Sequence, residues 1–278
     1  MYSGSTLTAV SGRLLGAHQK IDKAARRHLD RLAPACRFPS SSAILHFEGD
    51  NGPDAIKRKS PARDEPWHYI QPFDAKDVQL LGLIASHYKK LVGALVADDQ
   101  VRAAFEASWL AHALVDGLTP AHHYPYEEKL VELRSGKGIE TRTTIREKLL
   151  MPGETTTKQL HNNWKMWGPK GLFTTHAAFE WGVATLIVPL SFKSCLPSAS
   201  DIDAFQKQSI ETWYRHVAQD VARMNIYDEF YRSGWTVRLA RQVRRKLAPM
   251  LVSTVATVWY AAVAEAGVSR AGNNHASH

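Results

Sequence analysis

Apolar residues recur at helical spacing through most of the chain. Between residues 77 and 97 they fall three or four positions apart, at Val78, Leu81, Ile84, Tyr88, Leu91 and Leu95. This period predicts helices at residues 16–32, 77–97, 98–115, 176–194 and 202–224, with one or two more from Tyr227 onward. No stretch alternates strictly between apolar and polar residues, and no Asn-Gly turn joins two apolar runs. The pattern therefore predicts an all-α protein.

Segments of other composition fit a single multi-helix domain of 278 residues. Residues 35–75 are rich in Pro, Ser, Gly and Asp and predict a long structured loop, a feature that is usually functional. Residues 124–171 lack a clear core stripe, so we expect an insertion that covers one side of a site, with a short helix around residues 144–150. The two ends, residues 1–12 and 268–278, are expected to form a loose lead-in and a flexible tail.

An uncharged stretch at residues 247–264 has two interpretations. It follows a basic run formed by Arg238, Arg241, Arg244, Arg245 and Lys246. Its 18 residues are at the short end of the range for a membrane span, and the arginines could face a cytoplasmic leaflet. Its apolarity is interrupted at Pro249, Ser253, Thr254 and Thr257. We therefore favour a buried core helix and keep contact with a membrane as the alternative.

The charge balance favours certain partners. Lys and Arg outnumber Asp and Glu by 35 to 27, which gives a formal net charge of +8. Such a balance favours anionic partners such as phosphodiesters or acidic membrane surfaces. Only Cys36 and Cys195 are present, so we expect no disulfide framework and slightly favour a reducing compartment. Because the first ten residues lack the pattern of a secretory signal, a cytoplasmic location is favoured, with export by another route left open.

The strongest chemical signal lies in residues 109–123. In a helix, His112 and Asp116 are one turn apart on the same face. Gly117 and Pro120 predict the end of this helix, and the turn beyond them brings His122 close to the same place. Two imidazoles and a carboxylate form a ligand set that suits zinc. The segment therefore predicts a metal site.

Two more pairs repeat the spacing of a histidine and an acid four residues later. These pairs are His176 with Glu180, and His18 with Asp22. One such pair is weak evidence, because exposed pairs on helices are common and nearly neutral. Three pairs on apolar helices favour a metal site over satisfied core histidines. For Asp22 itself we favour a solvated acid beside Lys20 and Lys23, with a ligand role as the alternative.

These motifs resemble those of a known superfamily. The segment His112-x3-Asp116-x3-Pro120-x-His122 resembles the signature of bacterial zinc-dependent phospholipases C and single-strand-specific fungal nucleases. His176-x3-Glu180 resembles that family's next ligand pair, and His18 resembles its first-helix ligand. His68, within Trp67-His68-Tyr69, resembles its loop histidine, which stands fourteen residues after a metal-binding aspartate, here Asp54. His46 and Asp50 are reserve candidates, and His123 is expected beside the ligands or facing solvent.

The resemblance implies an α-helical domain with three zinc ions in a cleft between helices. One ion would be bound by Asp54, His68, His112 and Asp116, a second by His122, His176 and Glu180, and a third by His18, with Asp116 as a bridge. Asp54 would also orient or deprotonate the attacking water. In the family the third ion takes the amino group and carbonyl of an N-terminal Trp, whereas this chain has no Trp before Trp67. We therefore expect two zinc ions, and a third only if another group completes its site.

Together these features predict a zinc-dependent phosphodiester hydrolase of the phospholipase C type. Clustered zinc ions bind phosphodiester oxygens, stabilise the charge that develops in the reaction and lower the pKa of a bound water. A phospholipid is favoured over nucleic acid as the substrate. A nuclease of the same fold, with a base-stacking pocket, is the nearest alternative. A non-catalytic protein is the second alternative, since a structural zinc has a closed ligand shell.

Overall fold

The structure, a computed structural model, describes Met1, residues 16–49 and residues 51–276. About 70% of the described residues are helical, and none of them forms a strand. The helices form a single helical domain. The prediction of an all-α fold is therefore confirmed. Residues 2–15, which include most of the predicted lead-in, and residues 277–278 lie outside the described residues.

The described residues form fourteen α-helices, numbered here in chain order. They are α1 (Ala17–Leu32), α2 (Ser41–His46), α3 (Pro53–Lys59), α4 (Gln79–Val96), α5 (Gln100–Gly117), α6 (Tyr126–Leu133), α7 (Ile145–Leu149), α8 (Thr156–Trp167), α9 (Leu172–Ile187), α10 (Ala199–Gln206), α11 (Ile210–Arg223), α12 (Ile226–Ser233), α13 (Val237–Gln242) and α14 (Ala248–Ala276). Helix α14 thus continues through residues 268–276, which the sequence predicts as a tail.

Side-chain caps explain where the boundaries differ from the sequence prediction. Residues 202–224, predicted as one helix, form parts of α10 and α11. The break occurs because the side chain of Ser209 accepts a hydrogen bond from the backbone N–H of Thr212 and starts a new helix. Ser40 starts α2 in the same way, by accepting from Ala43, and Pro53 occupies the first turn of α3. The predicted loop at 35–75 therefore contains two short helices.

The core is built around α4, α5 and the long C-terminal helix. Helices α4 and α5 pack along their lengths, and α14 packs against both of them and against α1. Trp259 of α14 is fully buried, and its indole N–H donates to the carbonyl of Ala107 in α5 at 3.2 Å. This packing brings α1, which carries His18, alongside α5, which carries His112 and Asp116.

The uncharged stretch at 247–264 lies inside this core. A π-helical turn, Val243–Leu247, joins α13 to α14, and Leu251, Val255 and Trp259 are fully buried. The segment from Val237 to Ser269 has the length and apolarity of a membrane span, yet 67% of its most apolar window is buried. Burial against α1, α4 and α5 accounts for its apolarity, as the favoured core interpretation requires.

Candidate metal centre

Helix α5 and the turn after it hold the central motif as the sequence predicts. The side chain of Asp99 caps the start of α5 by accepting from the N–H of Arg102. The helix ends at Gly117, where an added Cβ would collide with the hydroxyl of Tyr214. That hydroxyl donates to the carbonyl of Leu114 at 2.7 Å. Pro120 then begins a 3₁₀ turn, Pro120–His123, which carries His122 back over the end of α5.

The first group of ligand atoms lies where α1 meets α5. The rings of His18 and His112 are stacked, with centroids 4.1 Å apart and 6° between their planes. Asp116 lies beside both rings: its Oδ1 is 3.2 Å from His18 Nε2, and its Oδ2 is 3.1 Å from His112 Nε2. All three residues are buried. Two histidines from different helices thus each direct their Nε2 at the carboxylate of Asp116.

Glu48, which no sequence motif predicts as a site residue, lies on the other edge of the same two rings. Its Oε1 is 2.9 Å from His112 Nδ1 and 3.8 Å from His18 Nδ1, and the side chain is fully buried. Ser108 donates its hydroxyl proton to Oε2 at 3.4 Å. His18, Glu48 and His112 form a buried group that could hold a metal ion. Glu48 lies in the turn after α2, where the sequence has no helical period of apolar residues that would predict burial.

The backbone of Met1 enters the same group. Its α-amino group contacts the carboxylate of Asp116 and lies 3.3 Å from Glu180 Oε1. Its carbonyl oxygen is 2.7 Å from His18 Nε2. Burial opposes a charge on this amino group, but Asp116, Glu180 and Asp54 together raise its pKa above the ordinary value. An amine and a carbonyl therefore lie beside His18.

The second group of ligand atoms lies where the 3₁₀ turn meets α9. His122 Nε2 and His176 Nε2 lie 2.9 Å and 3.1 Å from the same atom, Glu180 Oε1. The two rings are stacked with centroids 5.0 Å apart. His122 Nδ1 donates to the backbone carbonyl of Asp116 at 2.9 Å, so its Nε2 is directed at Glu180. These three residues could hold a second metal ion.

Asp54 and His68 lie at the edge of the two groups. Asp54 is in the first turn of α3, and its Oδ1 is 3.8 Å from His112 Nε2. The ring of His68 is 5.0 Å from that of His122, and its Nδ1 donates to the carbonyl of Pro66 at 2.9 Å. Both side chains line a cavity of about 10 Å³ together with His112. That volume is close to the space that one water molecule needs.

The electrostatics of the centre favour ionised acids. Burial raises the pKa of Asp116, but the positive Met1 amino group, His112 and His122 outweigh it and hold this pKa well below its usual range. The pKa of Glu180 is also held well below its usual range, because the Met1 amino group and His176 outweigh the effect of burial. Both acids are therefore carboxylates at neutral pH, which is the form that binds metal.

The two histidines of the 3₁₀ turn are held neutral. Burial lowers the pKa of His122 to about 4, and it does the same for His123. Neutral imidazole is the form that coordinates a metal. His123, however, directs Nε2 at the carbonyl of Gly117, at 2.8 Å, rather than at the ligand atoms. It supports the end of α5 instead of facing solvent.

The favoured interpretation of Asp22 is wrong. Asp22 is only 2% exposed, because its face of α1 turns into the domain. Neither carboxylate oxygen has a hydrogen-bond partner among the described residues. Burial, followed by the negative charge of Glu48, raises its pKa well above the usual range. Among the reserve candidates, His46 is exposed and Asp50 lies outside the described residues.

The donor set fits zinc. It consists of buried imidazoles and carboxylates from α1, α5, α9 and the loops between them, and zinc accepts nitrogen and oxygen ligands of these types. The Nδ1 atoms of His18 and His176 are buried without a hydrogen-bond partner among the described residues. Comparisons with known proteins found no match, whether with family models, curated proteins or solved structures.

Proposed function

We propose that this protein is a zinc-dependent phosphodiester hydrolase that acts on a phospholipid, in the manner of a phospholipase C. One observation carries the proposal: Asp116 lies between two groups of buried histidines and acids. Its carboxylate contacts His18 and His112, and its backbone carbonyl accepts from His122. Two ion-binding groups that share one residue can act on one substrate, whereas isolated structural sites need no such sharing.

The ligands of the proposed ions are those that the resemblance implies, and the contacts described above support them. One ion would take Asp54, His68, His112 and Asp116, and the other His122, His176 and Glu180. His18 and the Met1 backbone, beside Asp116, provide donors for a third. When bound, the zinc ions supply positive charge for the phosphodiester oxygens and make a bound water acidic. Glu180, the most exposed of these carboxylates at 17%, marks the side from which a substrate would approach.

Asp54 is the proposed base. Its carboxylate shares a water-sized cavity with His68 and His112, so it can accept a proton from a water held there. Helix α3 fixes its position, because Asp54 follows Pro53 in the first turn. This position stabilises the ionised carboxylate of Asp54, because the free N–H groups at the start of a helix attract negative charge.

The test combines metal analysis with three substrates. Purified protein is assayed for zinc and for hydrolysis of a chromogenic phosphodiester, phosphatidylcholine and single-stranded DNA. We expect at least two zinc ions per chain, with turnover of the chromogenic substrate and the phospholipid. Turnover of DNA alone would indicate the nuclease alternative. Bound zinc without any turnover would indicate the structural alternative, and zinc below one per chain would overturn the proposal.

Asp54→Asn separates the base from the ligands. We expect this variant to lose activity by about 100-fold or more, since a general base contributes this much. It should keep most of its zinc, because three other proposed ligands of the same ion, His68, His112 and Asp116, remain. Asp64→Asn is the matched control, because Asp64 is a half-exposed acid in the same loop region. The control should retain full activity. An Asp54→Asn protein as active as the control would exclude the proposed role.

A further inference from the structure

Exposed apolar side chains gather on α8 and the segments beside it. Leu160, Trp164 and Trp167 recur at intervals of four and three residues, and so lie on one face of α8. Leu160 is 68% exposed and Trp164 is 67% exposed. Large aromatic residues are rarely this accessible unless the surface binds something.

Neighbouring elements extend this face. The rings of Trp167 and Phe173, from the first turn of α9, have centroids 4.7 Å apart. The indole N–H of Trp167 donates to the carbonyl of Leu149 at 2.8 Å, and Leu149 is also exposed. We call the exposed surface of these side chains the aromatic surface: Leu149, Leu160, Trp164, Trp167 and Phe173.

The aromatic surface is held in place by the fold. Gly168 ends α8 beneath Trp164, so closely that an added Cβ would lie 3.1 Å from the indole Cδ2. On the opposite face of α8, Met166 is buried in a small cluster with Tyr126 and Leu130. The exposed rings thus lie on a helix whose opposite face packs against the domain, and their exposure does not result from a loose segment.

Charge and shape next to Trp164 indicate the chemistry of the partner. An open cavity of about 410 Å³ is lined by Trp164, Tyr124, Tyr227, Tyr231, Lys165 and Lys170, among others. Lys165 and Lys170 pair with no carboxylate among the described residues, whereas Lys129 in the same cavity pairs with Glu132. Amphipathic aromatic rings with nearby lysines suit the boundary between lipid acyl chains and phosphate head groups.

The aromatic surface also lies close to the candidate metal centre. Phe173 and His176 are three residues apart in α9. The ring of Tyr126, from the cluster that anchors α8, is 5.2 Å from the ring of His176. We propose that the aromatic surface docks on a phospholipid bilayer, with indole and phenyl rings at the acyl boundary and the two lysines at the phosphates. This inference deepens the proposed phospholipase function, but docking itself requires no catalysis.

Vesicle sedimentation tests the docking directly. Full-length protein is mixed with vesicles of phosphatidylcholine, with and without added phosphatidylserine. We expect the wild type to bind both and to bind the anionic vesicles more tightly. Leu160→Ser/Trp164→Ser should bind about tenfold more weakly or worse, since burial of one large apolar side chain contributes at least this factor.

A matched control removes the same kind of residue elsewhere. Phe73 and Val101 are 62% and 72% exposed, and neither is part of the aromatic surface. Phe73→Ser/Val101→Ser should bind vesicles as the wild type does. Equal loss in both double variants, or no binding by the wild type, would overturn the inference. Self-association that the Leu160→Ser/Trp164→Ser variant loses, without vesicle binding, would assign the surface to a second copy of the chain instead.

Fluorescence quenching tests the docking without replacing an apolar residue by a polar one. Bromine-labelled acyl chains quench tryptophans that enter a bilayer, and we expect them to quench the wild type more than Trp164→Phe. Hydrolysis of the soluble chromogenic phosphodiester separates this inference from the proposed function. Vesicle binding without hydrolysis would remove the function and keep the docking surface. Hydrolysis without vesicle binding would do the reverse.

Discussion

The imidazole of His112 lies parallel to that of His18, at a centroid distance of 4.1 Å. Glu48 is at the Nδ1 edge of both rings, and Asp116 is at the Nε2 edge of both. A histidine that binds metal through one nitrogen usually donates its other N–H to a carboxylate or carbonyl. We therefore expect Glu48 to orient the ring of His112, whose Nδ1 is within hydrogen-bond distance at 2.9 Å, and we expect the Asp116 edge to bind metal.

Replacement of Glu48 should weaken zinc binding in steps. Glu48→Gln keeps an oxygen that can accept the Nδ1 proton of His112 but loses the charge, whereas Glu48→Ala loses both. We expect zinc affinity to fall about 10-fold in the first variant and about 100-fold in the second, the range for groups that support metal-binding histidines. Calorimetry measures the affinities, and nitrogen-15 NMR of the metal-free protein reports which ring nitrogen of His112 carries the proton.

Two results would contradict this role for Glu48. If Glu48 is itself a ligand, both variants lose one zinc ion outright, because an amide is a poor substitute for a carboxylate. If Glu48 is irrelevant, Glu48→Ala binds zinc as Glu154→Ala does, a control in which an exposed glutamate is removed.

Loss of Asp116 should disturb both groups, and loss of Glu180 only one. Asp116 contacts His18 and His112 of the first group, and its Oδ1 is 3.8 Å from His122 Nδ1 in the second. The contacts of Glu180 are with His122 and His176 of the second group and with the Met1 amino group. We expect Asp116→Asn to lower zinc content by more than one ion per chain and Glu180→Gln by about one. Elemental analysis after dialysis against a weak chelator measures both. Equal zinc content in the two variants would show that Asp116 serves a single ion.

Gly117→Ala at the end of α5 should destabilise the fold, whereas Gly93→Ala in α4 should stabilise it. A Cβ on Gly117 would overlap Leu80 and the hydroxyl of Tyr214, so Gly117→Ala should reduce the free energy of unfolding by about 1–3 kcal/mol. A Cβ on Gly93 meets no atom within 4 Å, and Gly93→Ala should raise it by about 0.5–1 kcal/mol. Urea unfolding of both variants decides the matter, and a Gly117→Ala protein as stable as wild type would refute the close packing.

In the metal-free protein, stability should fall as the pH drops from 6.5 towards 4. Burial lowers the pKa of His122 and of His123 from 6.5 to about 4 in the folded state. Between these values the unfolded chain binds protons that the folded chain does not, so the stabilisation is complete above pH 6.5 and is lost as the pH falls. His122 alone accounts for up to about 3 kcal/mol.

Urea midpoints measured between pH 7 and pH 4.5 test this dependence. His123→Gln is the informative variant, because its amide nitrogen matches the reach of Nε2 and can donate to the carbonyl of Gly117 but does not titrate in this range. Its midpoint should vary less steeply with pH than that of the wild type. Midpoints that do not change with pH would show that the pKa values of these histidines are not lowered in the folded protein.

The long helices could be predicted from the sequence because their burial is periodic. The apolar period predicts a helix at residues 16–32, and α1 spans Ala17–Leu32. The period does not predict the break between α10 and α11, because the break depends on a single capping bond at Ser209 that leaves the apolar period intact. The short helices α2 and α3 contain too few residues for a period to appear.

The candidate site was predictable only where its residues repeat along a helix. His112, Asp116, His176 and Glu180 stand four residues apart in pairs, so their spacing alone indicates a shared face. Glu48 lies in a turn, and its position depends on how α2 packs beside α1 and α5. The prediction for Asp22 is wrong for a related reason, because the neighbouring charges of Lys20 and Lys23 do not reveal which face of α1 the domain covers.

Helix α8 has its exposed indole on one side and Met166 on the other, in the cluster that includes Tyr126. Tyr126 in turn contacts His176. A membrane that fixes the tilt of α8 would therefore also restrict the ring beside a candidate zinc ligand. Linkage then runs in both directions: if zinc tightens docking by some factor, docking tightens zinc binding by the same factor. Zinc affinity with and without vesicles would reveal a thermodynamic coupling between the bilayer and the metal.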